Sequence, residues 1–168
     1  MKRILMIIAQ KIFRDEELLE PKKIFEESGQ AVTIASVEKG ACLGKLGARV
    51  EADIRLSDVK GEDYDAVVFV GGSGSEEYFD DLTAHKIARE FHKKNKIVGA
   101  ICAAPTILAR AGLLDRKNAT SYIDQKENIT RCGAFYKDQA IVVDGNIITG
   151  NGPMASIEFA NAILKNIL

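Results

Sequence analysis

One cysteine in this chain stands where a thiol can do chemistry. Cys102 follows the apolar run Ile97 to Ile101 at once and is ringed by Ala100, Ala103 and Ala104, with Pro105 next. A sharp strand-to-helix turn tolerates only small neighbours around its central residue, so this spacing predicts a nucleophile elbow. At the start of a helix a thiolate is favoured, and a cysteine pKa near 8.5 can fall to roughly 3.5–7.5. The expectation is a sulfur already ionised at neutral pH. Gly71-Gly72, at the end of another apolar run, lets backbone N–H groups approach a substrate closely. Together with the Ala103 N–H, that pair is suited to hold a developing oxyanion.

The elements that must position these groups follow from patterning. Continuous apolar runs alternating with amphipathic stretches indicate buried parallel strands covered by helices. Strands are expected at Arg3 to Ala9, Ala31 to Ser36, Ala66 to Val70 and Ile97 to Ile101. Helices are expected at Asp15 to Ser28, closed by Gly29, at Thr83 to Asn95, at Pro105 to Ala111 before Gly112, and at Ala155 to Leu168. Gly40 to Arg55 reads as a short hairpin or edge pair, and Ala140 to Val143 with Ile147 to Thr149 as a hairpin around Asp144-Gly145. The fold class is therefore α/β: a flavodoxin-like three-layer sandwich, its central sheet mostly parallel, with helices on both faces. In such sheets functional groups gather beyond the carboxyl ends of the strands. Three segments end there: Phe13-Arg14-Asp15-Glu16-Glu17, Gly71-Gly72 and the Cys102 turn.

Composition narrows the function classes. At 168 residues and 46% hydrophobic, one domain over 1–168 is expected. A net charge of −1 supplies no positive field for nucleic acid or anionic membranes. No apolar run approaches the roughly 20 residues of a membrane span, and Met1 to Gln10 has no cleavage site, so the cytoplasm is the expected compartment. Cys42, Cys102 and Cys132 are odd in number and far apart, with no histidine at zinc-ligand spacing; no disulfide framework, metal or cofactor is expected. Cys42 and Cys132 read as packing or incidental exposure. His85 and His92 are expected on the solvent side of their helix, and Lys93 to Lys96 as a solvated helix end.

The segments FRDEELLEP (Phe13 to Pro21), YDAVVFVGG (Tyr64 to Gly72), VGAICAAPTILARAGLL (Val98 to Leu114), ATSY (Ala119 to Tyr122) and GNGPMASIEFA (Gly150 to Ala160) resemble the ThiJ/PfpI superfamily. This glutamine-amidotransferase-like group includes the PfpI peptidases and the Parkinson-disease-associated redox protein. The resemblance matches the family's elbow cysteine to Cys102, its first-helix glutamate, four residues before a proline, to Glu17, and its oxyanion-hole glycine to Gly72. It implies that Glu17 is protonated and donates a hydrogen bond to the Cys102 thiolate. Peptidase-like members place a histidine directly after the nucleophile, where this chain has Ala103. Other members carry one on a later loop, where Tyr122 stands, and Asn151 occupies a position where some relatives have arginine. Gly71, Tyr122 and Asn151 are thus candidates for substrate contact. The resemblance implies a homodimer, with larger rings in PfpI-like members. It also implies a stress-protection enzyme acting on reactive carbonyls such as methylglyoxal or their adducts. Its alternatives are a cysteine peptidase or amidase, and a non-catalytic sensor that works by oxidation of Cys102.

Overall fold

The computed structural model describes residues 1–168. β1 (Arg3–Ile7) is buried from Ile4 onward, as a run without polar residues must be when both sheet faces are covered. A brief β2 (Lys11–Phe13) leads into α1 (Asp15–Glu27). Gly29, at φ 78°, then turns the chain, and the Gln30 N–H returns to the Phe25 carbonyl at 3.0 Å. β3 (Ala31–Ser36) is followed by the antiparallel pair β4 (Gly40–Gly44) and β5 (Arg49–Ala52), and by a short β6 (Ile54–Arg55). β7 (Ala66–Phe69), α2 (Leu82–Lys93), β8 (Ile97–Ile101) and α3 (Pro105–Arg110) make up the middle of the chain. β9 (Asn118–Ala119), α4 (Lys126–Arg131) and β10 (Phe135–Tyr136) come next. The hairpin of β11 (Ile141–Asp144) and β12 (Ile147–Gly150), then α5 (Ser156–Ile167), complete it.

Seven strands form the main sheet in the order β11-β12-β8-β7-β1-β3-β6, parallel throughout except at β11–β12. The period of two along each strand sorts its side chains between two cores. Ile4, Met6 and Ile8 join Phe25, Phe159 and Ile163 of α1 and α5, whereas Leu5 and Ile7 join Ile87, Phe91 and Ile107 of α2 and α3. Each fully buried side chain of this size contributes about 1.5–3 kcal/mol. Gly99 of β8 is small because a Cβ there would lie 3.0 Å from the Phe159 ring. The result is the α/β sandwich expected from the patterning.

After β1 the chain builds outward through β3 and β6, then crosses to β7 and continues in the other direction. The strand order therefore reverses between β1 and β7. At such a reversal the connections diverge to opposite faces and leave a crevice beyond the carboxyl ends. α1, the Gly71-Gly72 turn and the Cys102 elbow all open onto it.

Two expectations need correction. His85 is not on the solvent side: it is buried, and its Nε2 lies 2.7 Å from the Phe79 carbonyl, which can only accept. The residue lies on the face of α2 that also buries Ala84 and Ala88, and the carbonyl satisfies its ring N–H. Lys96 is likewise no solvated helix end, since its ammonium donates to the Gly61 and Tyr64 carbonyls at 2.8 and 2.5 Å. His92 is half-buried, Cys42 is buried and Cys132 is partly buried. No helix is long and apolar enough to cross a membrane.

Candidate active site

Cys102 follows β8 with φ 64°, a left-handed conformation that costs a residue with a Cβ about 1–2 kcal/mol. It is held there from both sides. Its N–H donates to the Gly150 carbonyl at 2.9 Å, and its own carbonyl accepts from the Tyr122 N–H at 2.7 Å. The small neighbours and the over-determined backbone make this the strained elbow that the residue spacing predicts.

The turn after β7 brings the second part. Gly72, at φ 96°, packs so closely on the entry to α1 that a Cβ would lie 2.5 Å from the Arg14 nitrogen. The Arg14 N–H donates to the Gly71 carbonyl at 3.0 Å, and the Gly71 N–H donates to Glu17 Oε2 at 2.9 Å. A Cβ on Gly71 would come within 2.5 Å of Glu17 Oε2 and 2.7 Å of Cys102 Cβ. Only glycine permits the carboxyl, the amide and the cysteine to converge here.

Glu17 is completely buried, and its Oε1 has no hydrogen-bond partner of good geometry. The Cys102 sulfur is nonetheless the side chain that perturbs it most by hydrogen bonding. Burial raises the Glu17 carboxyl to about 7, against the lowering pull of Cys102, the Gly71 amide and Arg14. Burial, and next the neighbouring Glu17 charge, push the Cys102 thiol up to about 12, while the Gly72 and Ala103 amides pull it down. Glu17 rises because burial strips water from its carboxylate, and Cys102 rises for that reason first and then because the Glu17 charge stands beside it. Burial and the Glu17 charge thus both work against the resting thiolate expected at the start of a helix, while the Gly72 and Ala103 amides work for it.

Cys102, Ala103, Gly72, Tyr122 and Asn151 line one open pocket of about 970 Å³. Glu17 and Gly71 lie behind the sulfur, outside that lining. The candidate residues are therefore brought together in two tiers. Arg14, Lys45, Glu76, Asp124 and Asp138 add charge to the walls, and Ser121 adds a hydroxyl that is bonded to the Tyr122 carbonyl at 2.9 Å. Of these, Arg14 and Ser121 lay inside the FRDEELLEP and ATSY segments, but nothing in their spacing singled them out. Asp15, Glu16 and Glu17, one acidic run in sequence, take three separate tasks. Asp15 accepts from the Leu46 and Ala48 N–H groups of the β4–β5 turn, Glu16 pairs with Arg14, and Glu17 faces the elbow. No group of three or more His, Cys, Asp or Glu side chains able to hold a metal ion forms anywhere in the chain.

A profile of the DJ-1/PfpI family matches residues 2–166. The chain belongs to that family. DJ-1/PfpI relatives include deglycase PfpI of Pyrococcus furiosus, 36% identical over 90% of this chain and 90% of that protein. An uncharacterised Methanocaldococcus jannaschii protein, MJ0967, is 44% identical over 98% of this chain and 82% of its own length. Among solved DJ-1/PfpI structures, a ThiJ/PfpI domain protein from Brachyspira murdochii superposes with a TM-score of 0.96 at 37% identity, covering 99% of this chain and 97% of that one.

Proposed function

We propose that this chain is a cysteine-dependent enzyme acting on reactive carbonyl compounds, methylglyoxal or its adducts, with Cys102 as nucleophile and Glu17 as proton shuttle. One observation carries the reading. A buried carboxyl with a free Oε1 stands beside a thiol that opens onto a pocket, and the thiol faces two backbone amides. A general base works best with a pKa near the working pH, and burial brings Glu17 there. As the sulfur–carbon bond forms, the thiol proton passes to the Glu17 carboxylate. The carbonyl π pair becomes an alkoxide held by the Gly72 and Ala103 N–H groups. Glu17 then returns its proton to that oxygen, leaving a neutral hemithioacetal. Tyr122 and Asn151, both on the pocket wall, orient the rest of the substrate in this reading. The deglycase name of the Pyrococcus relative supports carbonyl chemistry.

A peptidase would need an imidazole, and neither histidine serves. His85 is tied to the Phe79 carbonyl, and His92 lies by Asn146, at the end of β8 away from Cys102. The test is consumption of methylglyoxal by the wild type and by Cys102→Ser. Replacing the nucleophile is expected to cut turnover by about 100-fold or more. Equal turnover would reject the reading.

A further inference from the structure

Burial pushes both Cys102 and Glu17 up, so a positive charge at the crevice is what favours loss of a proton from the pair. The charged and titratable groups around it come from every element at the crevice. They are Arg14 just before α1 and Glu16 in its first turn, Lys45 of the β4–β5 turn, Glu76 after β7, Asp124 before α4 and Asp138 after β10. Two phenols, Tyr122 and Tyr136, complete the wall. Lys45, Glu76, Asp124 and Asp138 are exposed and enter no ion pair, so water and salt screen them.

Arg14 differs on each count. Its backbone is locked to Gly71, whose own N–H holds Glu17. Its guanidinium is gripped by Glu16 through two bonds, Nε to Oε2 at 2.8 Å and Nη2 to Oε1 at 3.2 Å. Arg14 lines the pocket and Glu16 does not. On the Glu17 carboxyl the lowering pull of Arg14 outweighs the opposing push of Glu16, so the ion pair as a whole favours a negative charge there. Glu17 and Cys102 both act on the Arg14 charge, which places the guanidinium within electrostatic reach of the two.

We propose that Arg14 is a positioning residue: held by Glu16, its charge stabilises the single negative charge shared by Cys102 and Glu17. This deepens the proposed function, because it explains how a buried pair can supply a nucleophile near neutral pH without a histidine. The test needs no carbonyl substrate. Iodoacetamide alkylates the Cys102 sulfur with loss of iodide and of the thiol proton. Its rate against pH, followed by mass spectrometry of the Cys102 peptide, reads the pair directly. Arg14→Gln is expected to move the midpoint up by about half a unit or more, roughly threefold slower alkylation at fixed pH below it. Arg14→Lys is expected to restore most of the shift. Arg14→Met, of similar reach, reads the same quantity if the glutamine variant fails to fold. A neutral variant whose profile overlies the wild type overturns the proposal, and so does a lysine variant that behaves like the neutral ones. Absent methylglyoxal turnover with a shifted alkylation profile would reject the carbonyl reading and leave Arg14's role standing.

Discussion

Glu17 shows how burial turns an ordinary carboxyl into a titrating group at neutral pH. Its folded value of about 7 lies above the ordinary 4.5, so the folded chain binds this proton more tightly than the unfolded chain. Its contribution to stability is therefore full below about pH 4.5 and is lost as pH rises through 7. Across that window the loss amounts to about 3 kcal/mol. Glu17→Gln still accepts from the Gly71 N–H but carries no charge. It should match the wild type in urea denaturation at pH 4 and exceed it by a few kcal/mol at pH 8. A stability difference independent of pH would show that this carboxyl does not titrate in the window. The cysteine and the glycines of the site were legible in sequence from their small neighbours. The state of the sulfur was not, because hydration and a carboxyl from 85 positions away in the chain decide it.

At the scale of elements, the elbow links a strand to a helix through one residue in a left-handed conformation. Alanine is normally the better residue in regular structure, but at φ 64° the order reverses because glycine has no Cβ to clash. Cys102→Gly should be more stable than Cys102→Ala by about 1 kcal/mol, measured by chemical denaturation. The opposite order would mean that the elbow relaxes when sulfur is removed. The β4–β5 turn offers a second case. Asp15, buried at the start of α1, accepts from Leu46 and Ala48 at 2.9 and 2.8 Å, and Gly44 is bare because a Cβ would lie 2.5 Å from that carboxylate. Asp15→Ala should cost about 2–4 kcal/mol, through two lost charge-assisted bonds and two stranded N–H groups. Thermal unfolding reads that loss, and a neutral effect would place the hairpin's anchor elsewhere. The hairpin itself was visible as a possible edge pair, whereas its attachment to α1 depends on a contact across 31 positions.

The whole molecule assembles its site from segments near positions 14–17, 71–72, 102–103, 121–122 and 151–154, almost the full span of the chain. The strand reversal between β1 and β7 makes that convergence possible. The sequence alone determined the α/β class, the parallel strands and the elbow cysteine, because periodicity, small residues and chain reversals are local properties. Only the tertiary structure decided that His85 turns inward, that three adjacent acids part company and that Arg14 lines the pocket of Cys102. It also decided that burial and Glu17 oppose ionisation of the sulfur. Those outcomes depend on which groups meet after the chain has folded and on how much water is left between them, and neither is written in the neighbours of any one residue.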